Sequence, residues 1–132
     1  MQGRRLPDAP IGSFPIEYDD LQPGDYWRVT VRDKHPDYPR PLNVRDNTQD
    51  RRWWGDADDP RFAGNLTGGV WGVIDPTGRY GMLSIHTVRE HDDGTISVRP
   101  GDGSSNSILI TGGPETSEPF HGYIEHGVWS QC

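Results

Sequence analysis

The sequence predicts an all-β protein: a small antiparallel sandwich or partly open barrel with long polar loops and an extended N-terminal arm. Three observations support this. Apolar and polar residues alternate with a period of two in several short stretches, as in half-buried strands. Pro-Gly and Asp-Gly pairs lie between these stretches and mark turns. No stretch is convincing as a helix, so we expect helix to make up less than about 15% of the chain.

Composition limits the size of the core. The chain has 132 residues, 31% of them hydrophobic, and a formal net charge of -7. Five tryptophans and five tyrosines offset the scarcity of aliphatic residues, because each buried aromatic ring removes roughly 150–250 Å² from water. We therefore expect a single domain with a small, aromatic-rich core, to which oligomerisation would add stability.

Residues 1–24 form the predicted arm, and residues 25–132 form the predicted β domain. Four prolines within the first 24 residues exclude a regular helix there. The alternation of Phe14, Ile16 and Tyr18 would still let part of the arm lie on the domain. An arm of this kind could also pack against a neighbouring copy, which is one reason to expect a homo-oligomer.

The first half of the domain contains one clear strand and one long loop. Residues 26–32 alternate cleanly, which predicts a strand with its tryptophan and two valines on one face. Residues 33–65 are rich in proline and charge, and a loop this long is usually either functional or disordered. Trp53 and Trp54 lie within it. They either cap the core or form an aromatic platform for a planar ligand.

From residue 66 onward, predicted strands and turns alternate. Asp-Pro-Thr-Gly and Asp-Gly sequences mark two of the turns. Ile96 and Val98 are predicted to point inward. The predicted strands cover residues 70–74, 80–91, 95–99 and 108–111, followed by a final hairpin over residues 120–129 that turns near His126-Gly127.

The segment from residue 99 to residue 107 is the strongest candidate for a ligand site. Gly101 and Gly103 permit backbone geometries that aim several N–H groups at one anion. The alternative is a turn whose polar side chains satisfy one another. The predicted ligand-binding residues are Arg89, Arg99, Asp102, Gly103, Ser104, Ser105, Asn106 and Ser107, with Trp53, Trp54 and His86.

Two segments, HTVREH and HGYIEH, share the pattern H-x-x-x-E-H. Their histidines and glutamates could ligate zinc or act as acid and base on a phosphate ester. Residues five apart on a strand point to opposite faces, so neither segment can chelate one metal ion, and we expect no metal. We also expect no cofactor. His86, His91 and His121 are the catalytic candidates if the protein is an enzyme. The alternative for His86 and His121 is a hydrogen-bonded place at the rim of the core, whereas His126 suits a turn.

Charge and cysteine content limit the partners. The acidic balance disfavours duplex nucleic acid. Cys132 is the single cysteine, so no internal disulfide can form. No apolar run approaches the roughly 20 residues of a membrane span, and no signal-peptide core follows the first residues. We therefore expect a protein of a reducing cytoplasm with no membrane partner.

The block HTVREHDDGTISVRPGDGSSNSILI together with HGYIEHGVW resembles a group of small uncharacterised proteins encoded by phages of actinobacteria. A looser form of the tail is similar to a broader phage and bacterial family, some members of which are mislabelled as ammonia monooxygenases. The resemblance covers roughly residues 66–129. It implies a phage accessory protein acting in the cytoplasm of the bacterial host, and no established reaction. Members of the broader family often carry a Cys-x-x-Cys pair suggestive of zinc, which this chain lacks.

Three functions remain open. The favoured one is an oligomeric phage accessory protein that binds a small phosphorylated or nucleotide-like ligand, plausibly sequestering a host immune signal as an anti-defence activity. The second is a phosphoesterase-type enzyme that cleaves such a nucleotide with its histidines. The third is a protein-interaction or virion-associated module whose polar loops bind no small molecule.

Overall fold

The computed structural model describes residues 1–30, 70–83, 86–101, 107–111 and 118–132, and the backbone of residues 66–67. Within these residues the protein is all-β, which confirms the predicted fold class, and the one helical segment is a 3-10 turn at Tyr18–Asp20. No helix in this part of the chain is long and apolar enough to cross a membrane.

Eleven strands are present in the described part of the chain, and they form three open sheets that fit a small β sandwich. One sheet has the order β1-β3-β5-β6, with β2 also on β3; the others are β4-β7-β8 and β9-β10-β11. Strands from β3 onward pair antiparallel, whereas β1 and β2 run parallel to β3. The strands are β1 Arg4–Arg5, β2 Ala9–Pro10, β3 Asp25–Thr30, β4 Leu66–Thr67, β5 Trp71–Ile74, β6 Tyr80–Met82, β7 Val88–Glu90, β8 Ile96–Ser97, β9 Ile108–Ile110, β10 Phe120–Glu125 and β11 Val128–Gln131.

The N-terminal segment is extended and lies on the domain of its own chain. Gln2 bridges Val128 of β11, and β1 and β2 continue along β3. Leu6 and Ala9 are buried in the core. The arm therefore links two sheets of one chain and buries Leu6 and Ala9, whereas Ile11 and Phe14 stay exposed.

The core consists of two clusters of buried side chains, and β3 contributes to both. Tyr26 belongs to the larger cluster, which also contains Trp71 and Trp129. Trp27 and Val29 belong to the smaller cluster, where the arm supplies Leu6 and Ala9. Trp27 and Val29 share one face of β3, as predicted, and Val31 lies outside the described residues. The other face of the strand is also covered, because Tyr26 is buried in the larger cluster.

The predicted long strand over residues 80–91 is two strands in two sheets. Strand β6 pairs with β5, and β7 pairs with β4 and β8. The Leu83 N–H still donates to the carbonyl of Trp71, at 2.8 Å, before the chain passes to the second sheet. Buried apolar residues occur in both parts, Leu83 just after β6 and Val88 in β7, but the sheet changes between them.

Strand β10 has β11 on one edge and two strands in succession on the other. Its Gly122 is paired with Ile108 of β9, whereas Ile124 bridges Val98, the residue after β8. Val98 and Ile108 are ten positions apart in sequence but lie opposite alternate residues of β10. Val98 and Ile108 therefore lie along the same edge of β10, on either side of the position of Tyr123.

Candidate functional site

The outer face of β10 presents three polar or aromatic side chains. His121, Tyr123 and Glu125 alternate with buried residues along the strand. Successive side chains of a strand point to opposite faces, so these three share the outer face. His121 and Glu125 are exposed, and Tyr123 between them is half-buried.

Both described ends of the 99–107 segment are held on this face. The Arg99 guanidinium forms an ion pair with the Glu125 carboxylate, and the Ser107 hydroxyl shares a hydrogen bond with His121 Nε2. The two contacts lie on either side of Tyr123 along the strand. We call Arg99, Ser107, His121, Tyr123 and Glu125 the β10 site.

The Arg99–Glu125 pair leaves the guanidinium available to a ligand. The side chains of Arg99 and Glu125 are 41% and 52% exposed. Exposed pairs of this kind contribute about 0–1 kcal/mol to stability. An anion can therefore replace the carboxylate at Arg99 at little cost to the fold.

The hydrogen bond between Ser107 and His121 has two possible chemical uses. A hydroxyl bonded to an imidazole nitrogen is the arrangement in which histidine accepts the proton of a nucleophile. Such nucleophile–base pairs usually include a third group that orients the imidazole. None is bonded to His121 among the described side chains. The same bond can instead fix the Ser107 hydroxyl in place as a ligand contact.

The remaining predicted site residues are less informative. His86 is 8% exposed, which suits a place at the rim of the core better than one in an open pocket. Arg89 lies on β7, where it is paired in register with Ser97 of β8. Seven predicted residues lie outside the described part of the chain: Trp53, Trp54, Asp102, Gly103, Ser104, Ser105 and Asn106.

The last histidines of the two H-x-x-x-E-H segments meet each other. The rings of His91 and His126 stack with centroids 3.8 Å apart and planes at 17°. The buried Ser97 hydroxyl joins the two residues. It forms a hydrogen bond with His91 Nε2 at 2.7 Å and accepts one from the backbone N–H of His126 at 2.9 Å. His126 has a φ of 47°, the turn conformation predicted for it. These histidines therefore tie two hairpin turns together.

The glutamates of the two segments both bind arginine, but in different surroundings. Glu90 bonds Arg5 of the arm at 2.7 Å and also pairs with Arg28. These two guanidinium carbons lie 4.7 and 5.3 Å from the ring centre of Trp71. Glu125 has Arg99 as its ion-pair partner on the exposed face. Glu90 therefore serves the fold, whereas Glu125 belongs to the β10 site.

Asp93 stabilises the turn next to the histidine pair. The Thr95 hydroxyl donates to its carboxylate at 2.6 Å, and the Thr95 N–H donates at 3.0 Å. These hydrogen bonds, followed by the charges of His91 and His126, lower the pKa of Asp93 below its ordinary value of 3.8. The carboxylate therefore remains charged in mildly acidic solution.

Sequence reasoning missed Tyr123, although its place between His121 and Glu125 in an alternating strand could have identified it.

The described residues contain no group of three or more histidine, cysteine, aspartate or glutamate side chains placed to hold a metal ion. Comparison with protein-family models, with curated proteins and with solved structures found no match for this chain.

Proposed function

We propose that the protein binds a small phosphorylated, nucleotide-like ligand at the β10 site. One observation carries the proposal: Arg99 and Ser107, from the two ends of one polar segment, are held on either side of an outward-facing aromatic ring. Charge, hydroxyl and ring are the three groups that a phosphorylated planar ligand requires.

Each residue of the site has a distinct role in this proposal. Arg99 exchanges Glu125 for phosphate oxygens, which a guanidinium can bind through two parallel hydrogen bonds. Tyr123 offers a flat surface on which a base can stack. Ser107 and His121 provide hydrogen bonds to the phosphate or to the sugar. Glu125 repels the incoming phosphate, so the balance between Glu125 and the ligand at Arg99 limits the affinity.

The sequence resemblance implies a phage accessory protein, and we propose a biological role for the ligand binding on that basis. A phage accessory protein that holds a nucleotide without cleaving it would sequester a host immune signal in the cytoplasm of the bacterial host. Assembly into a homo-oligomer would place several such sites on one particle. The phage origin and the host cytoplasm rest on the resemblance, and the homo-oligomer rests on composition. The geometry of the β10 site supports only the binding of the ligand.

A second function is favoured by one specific observation, the hydrogen bond between Ser107 and His121. In a phosphoesterase, His121 would take the proton of the attacking Ser107 hydroxyl or of a water molecule. Binding and catalysis differ in what happens to the ligand, so a single incubation distinguishes them.

The experiment combines native mass spectrometry with calorimetry. The protein is purified from a bacterial host and examined for co-purifying ligand, then titrated with linear and cyclic mononucleotides and dinucleotides. We expect one nucleotide class to bind and to be recovered intact after heat denaturation. Arg99→Ala should weaken binding about 10- to 150-fold, as expected for loss of a hydrogen bond to a charged group.

The matched control is Tyr18→Ala, because Tyr18 is an exposed tyrosine outside the β10 site. Tyr123→Ala should weaken nucleotide binding and Tyr18→Ala should not. Conversion of the nucleotide to product would replace the binding proposal with the phosphoesterase. If no nucleotide binds and a host or phage protein does, the interaction-module hypothesis is correct instead.

A further inference from the structure

Three exposed aromatic rings form a cluster remote in sequence from the β10 site. Phe14 packs edge-to-face against Tyr18 and Tyr80, with centroids 5.1 and 5.5 Å apart. The exposed fractions are 37% for Phe14, 62% for Tyr18 and 44% for Tyr80. We call these three residues the aromatic platform.

The platform rests on the buried indole of Trp27. The ring of Tyr80 is stacked on Trp27, with centroids 6.1 Å apart and planes at 15°. Phe14 contacts the same indole edge-to-face at 6.0 Å. Trp27 therefore supports Phe14 and Tyr80, while all three rings of the platform remain partly exposed.

The packing of the rings determines the shape that a ligand must have. Adjacent rings of the platform are in direct contact, so they leave no hollow that could enclose a cation as an aromatic cage does. Exposed clusters of this kind mark interaction sites, and tyrosine is among the residues enriched at binding hot spots.

Exposed carboxylates lie next to Tyr18 in sequence, whereas Arg79, the cation next to Tyr80, has its Nη1 atom buried. Glu17 and Asp19 flank Tyr18 directly and are exposed, and Asp20 ends the same 3-10 turn. The carbonyl of Asp20 accepts a hydrogen bond from Arg4, whose guanidinium is itself paired with Asp25. In a chain of net charge -7 this acidic rim favours a cationic partner.

We propose that the aromatic platform binds an extended, proline-containing peptide segment of a partner protein that carries arginine or lysine. Proline-rich segments bind to exposed aromatic side chains at low entropic cost, because their extended conformation is already formed before binding. Neighbouring cations contact the exposed ring faces and the rim carboxylates. A second copy of this chain is a poor occupant, because it would bring two acidic rims together.

The test is a titration of the full-length protein with an acetylated synthetic peptide of four Pro-Pro-Arg repeats, followed by tryptophan fluorescence and NMR. We expect saturable binding that weakens with added salt. Tyr18→Ala and Tyr80→Ala should each lower the affinity at least tenfold, and Tyr80→Phe should change it less than about threefold. Val128→Ala is the matched control, because Val128 is a 41% exposed apolar residue on β11, and it should bind as the wild type does.

Several outcomes would overturn the proposal. They are equal binding of a peptide with glutamate in place of arginine, competition by a neutral oligosaccharide, platform-dependent dimerisation, and absence of binding at millimolar peptide. Tyr80 packs on Trp27, so a loss of binding in Tyr80→Ala is interpreted only if the variant keeps the wild-type circular dichroism spectrum. Tyr18→Ala then decides the question, because Tyr18 is the most exposed ring of the three.

Discussion

The two H-x-x-x-E-H segments provide a matched test of what holds this small fold together. Each glutamate is paired with arginine, but Glu90 lies between Arg5 and Arg28 above Trp71, whereas Glu125 pairs with Arg99 in the open. The same change, glutamate to glutamine, can be made at both positions. It removes the charge and keeps the length and the shape of the side chain.

The two changes should lower the free energy of unfolding by different amounts, because the side chains around Glu90 are more buried than those around Glu125. The side chains of Arg5, Arg28 and Glu90 are 26%, 21% and 23% exposed. Glu90→Gln weakens two charge-assisted hydrogen bonds and leaves two guanidinium groups close together, which should lower the free energy of unfolding by about 2–3 kcal/mol. Glu125→Gln affects an exposed pair and should cost less than about 1 kcal/mol.

Urea unfolding of the two variants and the wild type measures this difference. Far-ultraviolet circular dichroism before denaturation provides the folding control, and 0.5 M salt should reduce the smaller effect more than the larger one. Equal destabilisation by the two changes would refute the argument. A loss below about 1 kcal/mol at Glu90 would also refute it, because the arm would then be held by burial of its apolar residues alone.

Three further changes test other parts of the account. Gly72→Ala would place a Cβ 2.5 Å from the Trp27 ring and should lower the free energy of unfolding by more than about 2 kcal/mol. Gly78→Ala has open space around it and should lower it by about 1 kcal/mol, because the φ of Gly78 is positive. Thermal unfolding compares the two variants. Because the folded state lowers the pKa of Asp93, its stabilising contribution is present above pH 4 and is lost as pH falls through the lowered value. The stability difference between wild type and Asp93→Asn should therefore be constant above about pH 5 and should disappear in stronger acid, as urea unfolding at several pH values will show. Ser97→Ala removes the buried hydroxyl that joins the two hairpin turns and should cost about 1–3 kcal/mol, with faster amide exchange in both turns.

Local features of the fold were predictable from the sequence. Asp93-Gly94 and His126-Gly127 form the expected hairpin turns, and Ile96 and Val98 are buried as alternation predicts. The arm was predicted as extended because its prolines exclude helix. Its parallel pairing with β3 depends on contacts between residues about 20 positions apart, which no local pattern specifies.

The candidate site was predictable only in part, for a similar reason. Arg99 and Ser107 stood out because polar groups are dense in one segment. Their partners Glu125 and His121 lie on another strand, and only the register of β10 brings them together. The aromatic platform combines the arm with β6, so sequence spacing alone could not reveal it.

Chemical-shift mapping of the ¹⁵N-labelled protein during titration with the nucleotide panel shows whether the β10 site binds a nucleotide. We expect saturable shifts at the amides of Arg99, Ser107, His121 and Tyr123, with little change at the aromatic platform. If no nucleotide shifts these amides, or if the shifts saturate elsewhere while the β10 site stays unchanged, the site does not bind a nucleotide.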